Sequence, residues 1–212
     1  MQFMKKLIFT LGFIWASSIL LFLAETKIYS FNSAEENSPM IENQAEGYEC
    51  SDGWRITGYF TPIEADYDSA ETREIEISGV GKLKFNSEFL DTVFNEDEGF
   101  GEGWGKTRFG WYLGNYGGAW HKSDAPLDAS DAALNPNSVA VDNKVIPNNS
   151  VVRIPGLPEE FASKTFIASD VGVTVHGKHI DVYTGEGKDA ERKMYKVTFE
   201  DDNLTRVCFK TP

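Results

Sequence analysis

The chain has 212 residues and a formal net charge of -13. Such acidity argues against nucleic acid or an anionic membrane surface as a partner. With 41% hydrophobic and 13% aromatic residues, the chain can bury a core of roughly one domain.

Lys5 and Lys6 precede an apolar run over residues 7–24, the basic head and hydrophobic body of an export signal. Residues 1–24 are expected to be a signal peptide or, because Phe22-Leu23-Ala24 is a poor cleavage site, an N-terminal membrane anchor. In either case the remainder is exported, to the periplasm, the cell envelope or the exterior. Residues 25–47 are polar and lack a hydrophobic period, and a flexible tether is expected there, with the domain proper over 48–212. Cys50 and Cys208, near the two ends of that domain, read as one disulfide in an oxidising compartment. Closing so long a loop contributes on the order of 4 kcal/mol in the chain-entropy account.

Residues 54–62, Trp-Arg-Ile-Thr57-Gly-Tyr59-Phe-Thr-Pro62, predict a strand that the proline ends. Alternation over residues 74–83 predicts a hairpin, and Phe89, Leu90, Val93 and Phe94 behind Asn86 and Ser87 predict one short capped helix. Residues 95–138 alternate glycine with aromatics, among them Trp104, Trp111, Tyr112, Tyr116 and Trp120. Such a stretch makes a poor regular element and a good groove lining, so long loops are expected. A strand entering Asp142, a turn, and a second strand from Pro147 to Ile154 follow.

Residues 165–185 carry two strand-like runs joined by a glycine-punctuated turn, with Asp170 ending the first and Asp181 inside the second. Alternation puts Ile180 and Val182 on one face and Asp181 with Tyr183 on the other, where they line a cleft or open surface. Asp170 reads equally well as a turn cap or a site residue. Residues 196–199 and 205–209 are two further β-type runs about a turn at 201–203. His176 and His179 stand three apart on an apparent turn in a chain with three histidines, so exposed polar residues are expected there and no metal site. Short β runs bounded by Gly, Pro and Asn argue an all-β closed barrel.

Asp170-Val-Gly172-Val-Thr-Val-His-Gly177-Lys-His-Ile-Asp181-Val-Tyr183-Thr-Gly185 resembles the C-terminal part of the three-aspartate (3D) domain, especially as it occurs in the membrane-bound lytic murein transglycosylase A family. Val139-Ala140-Val141-Asp142 with Ile146-Pro147, and Thr57-Gly58-Tyr59-Phe60, resemble two further elements of that family. The resemblance implies a six-stranded double-psi β-barrel with one short helix and long Gly/aromatic loops. It also implies a peptidoglycan lytic transglycosylase with Asp181 as general acid and then base, and with Asp170 and Asp142 shaping the catalytic site. Thr57 and Tyr59 would lie along the glycan groove, with Trp104 and Tyr183 as further substrate contacts. No cofactor or metal is implied, the partner is the peptidoglycan glycan strand, and a monomer is expected. The chain departs from the family at Val173, Thr174 and His176, where Gly, Ala and a basic residue are usual. Asn149-Ser150 replaces a usual Gly-Thr, and asparagine can take a left-handed turn position. The segment between the Thr57 strand and Asp142 is shorter than the inserted domain of the larger transglycosylases, so a smaller groove wall is expected. Two rival readings use the same residues: a non-catalytic, expansin-like barrel that binds cell-wall glycan, and an interaction domain whose aspartates only buttress loops.

Overall fold

The structure, a computed structural model, describes residues 47–199 and 204–212. The expected export signal, the tether up to residue 46 and the turn at 201–203 lie outside the described residues.

The chain enters on a long strand, β1 (Glu49–Thr61). After a hairpin of β2 (Thr72–Ile77) and β3 (Gly81–Asn86) comes a helix, α1 (Ser87–Val93), with Asn86 accepting the Phe89 N–H at 3.1 Å as its N-cap. Both elements lie where the hydrophobic spacing predicts them. Three short strands follow, β4 (Trp104–Lys106), β5 (Tyr112–Tyr116) and β6 (Ala119–Ser123). The rest comprises β7 (Ser138–Val141), β8 (Val151–Arg153), a one-turn helix α2 (Glu159–Ala162), β9 (Phe166–Asp170), β10 (His179–Glu186), α3 (Gly187–Val197) and β11 (Thr205–Lys210).

Six of these strands close a barrel in the order β1-β10-β7-β9-β8-β11. The β1/β10 and β7/β9 pairs are parallel, the others antiparallel. Strand alternation sends Trp54, Ile56, Val139, Val141, Ile180 and Val182 into one core, each at most 1% exposed. Strand β1 can serve two neighbours because its register with β11 shifts between Ser51 and Trp54, where Gly53 takes a φ of 84°. Cys50 lies directly opposite Cys208 in that ladder, and the two form the expected disulfide across 158 residues.

The segment between β1 and β7 is a second sheet, ordered β3-β2-β6-β5-β4, with its own core of Ile77, Phe85, Phe89, Leu90, Val93 and Leu113. The expectation of long irregular Gly/aromatic loops is thereby narrowed: β4 to β6 interrupt the stretch, and residues 94–103 and 124–137 lie outside named strands. The glycines serve close packing as well as turns: a Cβ on Gly105 would meet Phe89 and Val93 side chains within 2.7 Å, and one on Gly114 would meet the Trp104 indole at 2.6 Å. Buried Glu64 stitches this sheet to the chain leaving β1, accepting from the backbone N–H groups of Asn86 and Arg108 at 3.1 and 2.9 Å and pairing with the Arg108 guanidinium. Lys106 and Tyr112 reach Glu186 of β10 at 3.2 and 2.7 Å, closing the other side of the junction.

Helix α3 corrects two further expectations, those of a single helix and of a strand at 196–199. Its sequence, Gly-Lys-Asp-Ala-Glu-Arg-Lys-Met-Tyr-Lys-Val, is dominated by good helix formers. Past its end Thr198 is extended, and the Phe199 N–H donates to the Ile56 carbonyl at 2.9 Å. The helix lies on β1 at Gly58, where a Cβ would come within 2.6 Å of Val197 and 3.0 Å of the Met194 backbone. Gly58→Ala must therefore push the helix off the strand. The expected cost is about 1–3 kcal/mol, read as a lowered thermal midpoint with β-sheet circular dichroism retained.

Candidate active site

The site begins as a rung across four neighbouring barrel strands. In the parallel register of β1 with β10, Thr57 lies beside Asp181; Asp181 lies opposite Ala140 of β7, and Ala140 lies beside Asp170 of β9. Two carboxylates thus flank one small side chain at the barrel's mouth. They open onto a cleft of about 400 Å³ between the barrel and the second sheet.

Each carboxylate is held by β1. The Thr57 hydroxyl donates to Asp181 Oδ1 at 2.9 Å, and the Tyr59 hydroxyl donates to Asp170 Oδ2 at 2.8 Å. Asp170 Oδ1 also accepts the Val171 N–H at 2.9 Å, so Asp170 caps its turn and faces the cleft at once. Burial raises the pKa of the Asp181 carboxyl to about 6, and the negative charge of Asp170 adds to the effect against the opposing Thr57 hydrogen bond and Arg55. Burial also raises the Asp170 pKa, and it raises that of the Tyr59 hydroxyl well above the ordinary phenol range.

The wall facing Asp181 supplies a carboxyl that the pattern of residues did not single out. Glu102 lines the cleft and accepts the Phe60 N–H through Oε2 at 2.8 Å. Its backbone is fixed on the end of α1, with the Glu102 and Gly103 N–H groups each donating at 3.0 Å to the Thr92 and Val93 carbonyls. Gly101 permits that approach, since a Cβ there would meet the Val93 carbonyl oxygen at 2.5 Å. Burial raises the Glu102 pKa to about 8, with the charges of Asp181 and Glu191 adding. The signal in the sequence was slight, a single carboxylate between two glycines ahead of Trp104.

Of the other residues singled out, Trp104 lines the cleft and packs against Tyr116 at 6.0 Å between ring centroids; Tyr116 is 52% exposed. Tyr59 also lines it, whereas Thr57 reaches it through Asp181. Three placements differ from expectation. Tyr183 is buried and does not line the cleft: its hydroxyl is 2.9 Å from Thr61 Oγ1 and its ring lies 5.2 Å from Tyr59, because β10 passes there beneath the junction with the second sheet. Asp142 also stays out of the cleft. It accepts the Gly177 N–H through Oδ2 at 2.8 Å and the Lys144 N–H through Oδ1 at 3.0 Å, contacts that lower its pKa and that tie the turn after β7 to the loop over residues 171–178. That loop presents Val171 and Val173, 47% and 73% exposed, to the cleft. Asn149 takes the left-handed conformation, with a φ of 65°.

His179 is the third departure. It is buried rather than exposed, since it opens β10 beside Arg55 of β1. Its Nε2 lies 2.8 Å from Thr57 Oγ1 and its Nδ1 lies 3.2 Å from the Thr174 carbonyl.

Asp142, just after β7, Asp170 on β9 and Asp181 on β10 all fall within residues 137–197, and this segment matches a family model. It is a 3D domain. The rest of the barrel and the second sheet lie outside the 3D match. Among solved structures, the chain is similar to Escherichia coli MltA with bound chitohexaose at 16% identity, with a TM-score of 0.52 over 74% of this chain and 72% of that one. The structure of Escherichia coli MltA described as a unique lytic transglycosylase fold aligns at 16% identity over the same shares, with a TM-score of 0.48. A membrane-bound lytic murein transglycosylase from Agrobacterium tumefaciens aligns at 12% identity over 78% of this chain and 74% of that one, with a TM-score of 0.47. The first of these similarities places the barrel and its neighbouring sheet in one fold with MltA. A comparison with curated proteins found no match.

The Glu102 carboxyl carries a consequence for stability. Its folded-state pKa of about 8 lies above the ordinary 4.5, so between those values the folded chain binds more protons than the unfolded one. Stability from this group is full below the lower value and is lost as pH rises through the upper. Glu102→Gln should therefore gain in thermal midpoint relative to the native protein as pH is raised across that window, and equal shifts at all pH values would contradict the assignment.

Proposed function

We propose that this protein is a peptidoglycan lytic transglycosylase, acting in the cell envelope on the β-1,4 bond between N-acetylmuramic acid and N-acetylglucosamine. The observation that carries the reading is the Asp181 carboxyl. It lines a cleft, is held through one oxygen by Thr57, and has a pKa raised by burial to about 6. A carboxylic acid so tuned can give its proton to the glycosidic oxygen. As the carboxylate it can then take the proton of the muramic C6 hydroxyl while that oxygen bonds to the anomeric carbon, closing a 1,6-anhydro ring. One carboxyl serves both steps, and no water need be activated.

Asp170, held by Tyr59, faces the positive charge that develops at the anomeric carbon. Asp142 acts at a distance, through the loop it ties down. Trp104 offers a flat face for sugar stacking, and Tyr59 edges the same groove. Glu102, the weaker acid of the opposite wall, is a hydrogen-bond donor to substrate at neutral pH. The parallel pairs β1/β10 and β7/β9 are consistent with a double-psi barrel as the scaffold. Chitohexaose bound to the similar Escherichia coli protein supports a hexosamine chain as the ligand class. The disulfide and the basic, then apolar, N-terminal sequence support export.

Purified sacculi provide the test. The native protein should release soluble muropeptides, with kcat/KM falling as pH rises through about 6, because the acid form of Asp181 is lost there. Asp181→Asn should fold with a thermal midpoint no lower than the native one at neutral pH and still sediment with sacculi while release drops by about a thousandfold or more, the scale of losing a general acid that is also the base. Turnover retained in that variant would remove Asp181 from the mechanism. Sedimentation of the native protein without release would favour the expansin-like binding barrel.

A further inference from the structure

The register of the second sheet sorts its residues onto two faces. Leu113 and the bare side of Gly105 turn to the core beneath α1. On the other face Trp104 of β4, Gly114 of β5 and His121 of β6 form one cross-strand row, and alternation adds Lys106, Tyr112 and Tyr116. This face looks at the barrel. One end of it is closed, because Lys106 and Tyr112 bond to Glu186 of β10. The other end opens into the cleft, which Trp104 and Tyr116 both line.

Gly114 lets the rings at the open end come together. It leaves the middle of the row without a side chain, and the Trp104 indole fills that place, 2.6 Å from where a Cβ would stand. Tyr116 lies 6.0 Å from Trp104 between ring centroids with the planes at 47°, and it stacks on the His121 imidazole at 3.8 Å and 16°. His121 is not part of the cleft lining. It folds back on the hairpin, its Nε2 3.2 Å from the Tyr116 carbonyl. Gly117 and Gly118, with φ of 61° and 77°, turn the chain directly after Tyr116 and set its ring at a hairpin tip. A tyrosine that is 52% exposed is thus held by a stacked ring and a tight turn, and it has little freedom left to lose on meeting a ligand.

We propose that Tyr116, propped by His121, is a second sugar platform that extends the glycan site from Trp104 out to the tip of the β5–β6 hairpin. The two rings are tilted to one another and offer separate faces, suited to successive sugars of one strand rather than to a single ring. Aromatic faces take the C–H sides of uncharged sugars. Asn115, next to Tyr116 and also in the cleft lining, carries an amide that can both donate to and accept from an acetamido group. Because the opposite end of the face is closed by Glu186, a strand that lies across Asp181 along this wall leaves the cleft past Tyr116. All of these platform residues lie outside residues 137–197, so the platform belongs to the second sheet and not to the part of the barrel matched as a 3D domain. Its role in turnover rests on the function proposed above; its binding of a hexosamine chain does not.

Two measurements test it. The first is kcat/KM on peptide-free glycan strands of graded length. The loss in Tyr116→Ala should grow with strand length and be carried by KM, reaching about three- to tenfold on long strands, the scale of one aromatic contact. Tyr116→Phe, which keeps the face, should recover most of it, and His121→Ala should show a smaller loss with the same dependence on length. The second is calorimetry of chitohexaose with the inactive Asp181→Asn protein, in which adding Tyr116→Ala should weaken binding by a similar factor. An unchanged Kd, or a loss in kcat/KM equal at all lengths, would overturn the platform while native turnover upheld the proposed function. A loss confined to peptide-bearing strands would put the stem peptide on the ring and would also overturn it. Chitohexaose bound through Tyr116, with no turnover by the native protein, would support the platform and count against the function. Neither binding nor turnover would overturn both.

Discussion

The cleft depends on the register in which β1 runs beside β10. That single parallel pairing sets Thr57 beside Asp181 and Tyr59 beside Tyr183, while the antiparallel neighbour β7 contributes Ala140 to the space between Asp181 and Asp170. A slip of one residue in β10 would send Asp181 toward the core and Ile180 into the cleft, exchanging a fully buried aliphatic for a carboxylate. The apolar alternation that fills the barrel is therefore also what aims the acid. The disulfide between Cys50 and Cys208 anchors the opposite end of β1, and α3 presses on its middle at Gly58. The strand that holds both cleft aspartates is thus fixed at several points along its length.

The electrostatics follow from closing this mouth with a second sheet. Burial is the largest influence on Asp181, Asp170 and Glu102, and for each it opposes ionisation. Burying Asp181, Asp170 and Glu102 around one cleft, with Arg55 offsetting the effect only in part at Asp181, stabilises their protonated forms. Asp142, outside the cleft, moves in the opposite direction because two backbone N–H groups donate to it. The same residue type thus serves as a tuned acid in one setting and a loop anchor in the other.

Much of this was legible where pattern and chemistry coincide. Alternation around Asp181, the strand entering Asp142 and the Asn86 cap each have a local physical signature, and each element is present. The side of β10 that carries Asp181 followed from Ile180 and Val182, but the burial of Tyr183 did not, because it depends on the second sheet passing over the same strand. Strands β4 to β6 were hidden by glycines whose reason is tertiary: Gly105 and Gly114 make room for Phe89 and Trp104. Helix α3 was overlooked beside the short β-like run at its end. Glu102 carries only a slight local mark, since its burial comes from a cleft, and the burial of His179 comes from the pairing of β10 with β1.

The central claim is that Asp181 performs intramolecular displacement by the C6 hydroxyl rather than hydrolysis. It is tested most directly by mass spectrometry of the soluble fragments released from purified peptidoglycan. The account predicts muropeptides ending in 1,6-anhydromuramic acid, each lighter by one water than the hydrolytic product. Reducing-end muropeptides would contradict it and would make Glu102, facing Asp181 across the cleft, the second carboxyl of a hydrolase.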